Sequence, residues 1–170
     1  MPAITALLHA RNDALRLGRT LETLLPCDEI LVMLRSDGSQ HGPQDATTRI
    51  AREYGAKVVA DTTNLTPSQC LHFARRDWIL CLDPRESLTE SLSASLFEWK
   101  AEWKPKSPSL PETTAFSVFL REETANGWQQ NPTPQTRLVP RHWPHWQGLL
   151  PAPEPSAIAL EGALLRFTLP

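Results

Sequence analysis

The stretch WILCLDPRESLTESL, residues 78–92, runs from an apolar segment into a turn carrying Asp83, Arg85 and Glu86. Closely spaced carboxylates in such a turn can hold a divalent cation through oxygen ligands. The arginine between them cannot be a ligand and would repel a cation, whereas its planar fork suits phosphate or carboxylate oxygens. Two further polar stretches carry comparable chemistry. One is His9-Ala10-Arg11-Asn12-Asp13; the other runs from Arg35 to Asp45 and contains Asp37-Gly38-Ser39. Asp13 and Asp45 are also placed to cap helices, and Asp83 to open a turn, so each acid has a structural and a ligand-binding reading. In RHWPHWQ (141–147), His142 and His145 stand three apart, with tryptophans flanking a proline. An indole beside a histidine suits sugar stacking, or aromatic cover for the end of a small domain. The proline breaks any helix that would align the two histidines on a metal.

The elements that must position these residues alternate along the first hundred positions. AITALLHA (3–10) reads as a buried strand. After Asn12 and Asp13, Leu17, Leu21, Leu24 and Leu25 fall on one helical face, which Pro26 ends. EILVML (29–34) is a second strand. Asp45 then precedes a helix with Ala46, Ile50, Ala51 and Tyr54 on one side and Gly55 at its C-terminal cap. KVVA (57–60) is a third strand. Thr66-Pro67-Ser68-Gln69 has the form of a capping box with proline at the first helical position, opening a helix to about Arg75. WILCL (78–82) is apolar throughout, as a central parallel strand should be. Ser87-Leu88-Thr89-Glu90 reads as a second capping box, followed by the stripe Leu88, Leu92, Leu96, Trp99 and Trp103. This alternation predicts a parallel sheet with helices on both faces. Ligands of such sheets bind outside the carboxyl ends of the strands, which selects the loops after the first, second and fourth.

The 170 residues suit a single domain: an α/β part (1–103), a proline-rich linker (104–114) and an annex (115–170). AFSVFLRE (115–122) and TRLVP (136–140) read as strands facing each other across TANGWQQNPTPQ, and AIALEGALLRFTL (157–169) as one or two more. A net charge of −2 with no basic run gives no footprint for nucleic acid. Cys27, Cys70 and Cys81 form no CxxC pair and read as buried free thiols of a reducing compartment. With no signal-peptide pattern and no apolar run of membrane-spanning length, a cytoplasmic protein is expected.

In the order ALLHARND, DEILVML, SDGSQHG, IAREYGAKVVAD and RDWILCLDPRESLTESL, the chain resembles the nucleotide-binding half of family 2 glycosyltransferases of the GT-A fold. It is most similar to small bacterial members related to lipopolysaccharide-core glucosyltransferases. TRLVPRHWPHWQGLL and LEGALLRF resemble the acceptor-side segment; together the likeness covers roughly residues 3–100 and 136–168. It implies a Rossmann-like GT-A fold with a small extended or antiparallel C-terminal annex. The implied activity is transfer of a sugar from a nucleotide diphosphate sugar to a hydroxyl, on a lipid- or glycan-linked acceptor in cell-envelope glycan synthesis. In the family a magnesium or manganese ion bridges diphosphate and carboxylates, and a carboxylate base deprotonates the acceptor.

Carried onto this chain, the resemblance assigns Arg11, Asn12, Asp13, Asp37, Asp83 and Arg85 to the nucleotide sugar and Asp83 to a metal. His145 and Trp146 go to the acceptor side, with Glu86 and Glu154 as candidate bases. The landmarks are altered. Leu34 stands where an aspartate reads the base, followed by an apparent insertion, Arg35-Ser36. Arg85 replaces the second acid of the metal motif, and Pro151-Ala152 a histidine–glutamate pair. Two functions follow: a transferase with a modified, metal-independent donor site, or an inactive relative that binds a sugar nucleotide or a protein partner.

Overall fold

A computed structural model of the protein describes residues 1–35, 46–104 and 114–168. Strands β1 (Ile4–Ala10), β2 (Glu29–Arg35), β3 (Lys57–Asp61) and β4 (Trp78–Leu82) pair in parallel in the order β3-β2-β1-β4. Side chains alternate across a strand, so each strand feeds two cores. Ile4, Ala6 and Leu8 of β1 join Trp78, Leu80 and Leu82 of β4 on one face. Leu7, Ile79 and Cys81 point to the other.

Helices α1 (Ala14–Glu22), α2 (Thr47–Glu53) and α4 (Glu90–Glu102) cover the first face with Leu17, Leu21, Ala51, Leu92 and Leu96. Trp78, Trp99, Trp103 and Phe116 close this core ring against ring, with centroids 4.9 to 5.9 Å apart. The second face has thinner cover. It comes from α3 (Pro67–Cys70), the 3-10 turn Leu71–Phe73, Trp143, and the antiparallel pair β9 (Trp146–Gln147) and β10 (Leu150–Pro151).

The second half continues the same sheet. β8 (Gln135–Pro140) is antiparallel to both β4 and β6 (Phe116–Thr124), and β7 (Gly127–Gln130) hairpins onto β6. β11 (Ile158–Arg166) lies parallel to β6 and antiparallel to β5 (Glu86–Leu88). The result is a mixed α/β architecture with a mostly parallel first half and a largely antiparallel annex, the class expected from the sequence.

Local chemistry accounts for the agreements and for three departures. Thr66 makes both halves of its capping box with Gln69, at 3.3 and 2.9 Å, and Gly55 takes φ +77 after α2. Helix α1 stops at Glu22, short of Pro26, and Leu25 is 79% exposed rather than sharing the buried stripe. Thr23 Oγ1 donates to the Thr20 carbonyl and accepts the Leu88 N–H, which ends the helix and ties it to β5. The helix after Thr66 lasts four residues and then tightens to 3-10 instead of reaching Arg75. Ser87 and Leu88 are not part of a capping box: they pair with Leu165 and Leu164 in the sheet, and Thr89 caps α4 through the Leu92 N–H. The tail forms one strand whose register shifts between Ala159 and Ala163. The linker expected at 104–114 falls largely outside the described residues, as does Asp45.

Candidate functional site

The turn after β4 is built around Asp83. Its Oδ1 accepts the Arg85 N–H and Nε–H, each at 2.9 Å, and its Oδ2 accepts from Arg85 Nη2 at 3.1 Å. The two side chains thus form a two-pronged pair within one turn. Burial works against the Asp83 charge, but the hydrogen bonds from Arg85 outweigh it and hold the carboxyl below the usual range. The pairing raises the already high Arg85 pKa. Arg85 Nη1 makes no protein hydrogen bond among the described residues. The turn is anchored from α1, where Thr20 Oγ1 donates to the Pro84 carbonyl at 2.7 Å, and from the tail, where Phe167 N–H donates to the Arg85 carbonyl.

Glu86 lies on the other side of this turn and is fully buried. Its Oε1 accepts from Arg137 Nη1 at 2.6 Å and from the Asp83 N–H at 2.7 Å. Its Oε2 accepts from Arg137 Nη2 at 2.9 Å and Arg166 Nη2 at 3.0 Å. A base needs a lone pair within reach of its proton, and here both oxygens are engaged by arginines. The expectation of Glu86 as a base is therefore corrected: it is the ionic centre that joins β5, β8 and β11. Arg137 and Arg166, which the sequence reading did not single out, are its partners; a lone arginine inside the apolar run TRLVP was the available signal.

At the carboxyl ends of β1, β2 and β4 lies an open cleft of about 460 Å³. Arg11, Asp13, Asp83 and Arg85 line it, together with His9, Arg16 and Arg35. Four guanidiniums thus face two carboxylates. Asp13 Oδ2 accepts the Arg11 N–H at 2.7 Å and makes no capping bond to α1, so this acid shapes the loop instead of capping the helix. Asn12 takes the left-handed φ of +51 that lets the loop turn into α1. Asp37 lies outside the described residues. Arg16 was missed because it sits inside the helix after the loop. Arg35, read as an insertion, is the last residue of β2 and donates to Asn64 Oδ1 while facing Asp61 at 3.4 Å.

Among the described residues, the lining of the cleft does not fit a divalent cation. Its Asp83 is filled by Arg85, and among the described residues no group of three or more His, Cys, Asp or Glu is placed to hold a metal. The acceptor-side residues are elsewhere. Trp146 is half-buried and donates its indole N–H to the Trp143 carbonyl; His145 is exposed, with its ring edge-on to Trp143. Glu154 does not line the cleft. Hydrogen bonds from the Ser156 hydroxyl and N–H hold its carboxyl below the usual range, which makes it a weaker base.

His9, at the cleft floor, has no hydrogen-bond partner for either ring nitrogen among the described residues. Burial, reinforced by the Arg35 charge, pushes its pKa down to about 4, against the opposing pull of Asp61. The unfolded chain takes up this proton near pH 6.5 and the folded one only near 4, so stability falls as pH drops through that window. A loss of about 3 kcal/mol follows from the shift at 1.36 kcal/mol per unit. Urea midpoints compared between pH 7 and 4.5 test this; His9→Phe should flatten the profile, and an unchanged slope would refute the assignment.

No protein-family profile matches this chain. It is 33% identical over 132 residues to a TPR repeat-containing protein of Synechococcus elongatus, an alignment covering 75% of this chain and 29% of that protein. The chain thus spans less than a third of that curated relative. Solved structures with a similar course include S. aureus TarS, residues 1–349, with a TM-score of 0.47 and 18% identity over 77% of this chain and 38% of that one. Another is the glucosyl-3-phosphoglycerate synthase of Mycobacterium tuberculosis in complex with Mn2+, UDP and glucosyl-3-phosphoglycerate; its TM-score is 0.44, with 16% identity over 71% of this chain and 43% of that one. No described helix is long and apolar enough to cross a membrane.

Proposed function

We propose that this glycosyltransferase-like chain binds a nucleotide diphosphate sugar at the carboxyl ends of β1, β2 and β4, without a resident metal. The observation that carries the reading is the cleft's cationic lining: with Arg35 held by Asp61 and Arg85 by Asp83, Arg11 and Arg16 face Asp13 and Nη1 of Arg85 points to no protein acceptor among the described residues. A diphosphate supplies the matching charge, and arginine forks take over the neutralisation that a cation provides elsewhere. Asp83 positions Arg85 so that Nη1 is left for the ligand. Binding without transfer is favoured, because Glu86 is locked by arginines and Glu154 stands away from the cleft.

The test is a thermal-shift panel of nucleotide diphosphate sugars with and without manganese. A ligand at a hundred times its Kd adds about 2.7 kcal/mol, or roughly 5 to 10 °C for a domain of this size. The shift should be the same without manganese, and Arg16→Gln should weaken binding about tenfold or more through a lost charge-assisted contact. The reading fails if no nucleotide sugar shifts the transition, or if the shift requires manganese. Sugar transfer to water or to a hydroxyl acceptor at turnover rates would overturn the non-catalytic part alone.

A further inference from the structure

A second cavity, of about 470 Å³, opens at the other end of the sheet. Its walls come from segments far apart in sequence: the α3 region and the residues following β8. Arg141 comes directly after Pro140, which pairs with Trp78 at the start of β4, whereas the cleft described above lies beyond Leu82 at that strand's end. Arg141, His72, His142 and Ser68 supply the polar lining, and Leu71 and Trp143 part of the apolar wall. Among the described residues, no carboxylate lines it.

Arg141 is set in place by two bonds. Its N–H donates to the Asp77 carbonyl at 2.8 Å, and Nη1 donates to the Ala74 carbonyl at 3.3 Å. Its Nε and Nη2 have no protein partner among the described residues, and neither do the imidazoles of His72 and His142. One guanidinium and two imidazoles, with no acid in the described lining, leave the charge of Arg141 unopposed within the cavity. A concave site with an apolar wall and a few convergent polar groups is the usual form of a small-molecule pocket.

We infer that this cavity is a binding site for a phosphate monoester with a small apolar or aromatic body. The free edge of Arg141 matches two phosphate oxygens, His72, His142 and the Ser68 hydroxyl meet the remaining oxygens, and the organic body lies against Leu71 and Trp143. Three separate donors suit a tetrahedral phosphate better than a planar carboxylate, whose two oxygens the arginine fork alone would satisfy. This inference does not depend on sugar-nucleotide binding at the opposite end.

The test is a titration of the full chain with phenyl phosphate, inorganic phosphate and benzoate, followed by the histidine ring signals in NMR. Phenyl phosphate should move the signals of His72 and His142, and Arg141→Gln should suppress that movement without altering any response of His9 in the opposite cleft. Inorganic phosphate should bind more weakly at the same residues, and benzoate more weakly than phenyl phosphate. Arg141→Gln should reduce the phenyl phosphate affinity about tenfold or more, the loss expected for a charge-assisted hydrogen bond; His142→Asn, at an exposed position, gives a second variant whose folding is not at issue and should also weaken binding. The inference is overturned if these signals stay fixed, if benzoate binds as tightly as phenyl phosphate, or if folded variants bind as the parent does. Equal binding of inorganic phosphate would remove the organic body from the assignment.

Discussion

Arg137→Met should destabilise the fold by about 3 to 5 kcal/mol, the range for breaking a buried ion pair by removing one partner. Arg137 and Glu86 have side chains 1% and 0% exposed. Methionine fills much of the arginine's volume, so the loss reports electrostatics more than a cavity. Glu86 would retain Arg166, itself shared with Glu122, but lose both Arg137 bonds, and the Cys81 carbonyl would lose its Arg137 donor. Urea denaturation followed by circular dichroism measures the effect. The double variant Glu86→Leu, Arg137→Met should recover part of the loss, because neither charge is then left buried without its partner. A single-variant loss below about 1 kcal/mol would show that the pair is not closed as described. Because Glu86 also accepts the Asp83 N–H, the same variant should loosen the turn that holds Arg85, and the binding proposed for the cleft should weaken along with stability.

Gly162→Ala should be about as damaging. Gly162 has φ +96, and a Cβ added there would lie 2.3 Å from the Leu92 nitrogen and 2.7 Å from its Cα. Those atoms are backbone in the first turn of α4 and cannot swing aside as a side chain would. The neighbouring bonds show how tightly strand and helix are joined. Thr89 N–H and Oγ1 both donate to the Ala163 carbonyl, and Ser95 Oγ donates to the Glu161 carbonyl at 2.8 Å. Overpacking of this kind typically destabilises by about 1 to 3 kcal/mol, and the left-handed φ adds roughly 1 to 2 kcal/mol for a residue with a Cβ. A melting temperature lowered by roughly 5 °C or more is expected for a domain of this size. Gly148→Ala is the control: it has φ +62 but open space around the added Cβ, so it should show the backbone part alone. Equal losses at the two positions would mean that contact with α4 contributes nothing.

Periodicity and local chemistry carried most of the α/β half. The strands around WILCL and AITALLHA, the Thr66 capping box and the Gly55 cap each depend on residues a few positions apart, so they could be read in the sequence. The loops at the carboxyl ends followed from topology once the alternation was seen, and four of the six residues assigned there to a nucleotide sugar do line the cleft.

What the sequence could not decide is which charge meets which. Asp83, Arg85 and Glu86 looked like one site with a substituted acid. The tertiary structure divides them: Asp83 orients Arg85 at the cleft, while Glu86 turns inward to Arg137, fifty-one positions away, and Arg166, eighty away. Local propensity has no term for such partners, because only the closing of β8 and β11 onto the sheet brings them within hydrogen-bond reach. The same closure gathers His72, Arg141 and His142 around one cavity. The sequence by itself determined the scaffold and the end of it where a ligand should enter. Long-range pairing decided which acids are spent on structure, and so which cations are left facing the cleft.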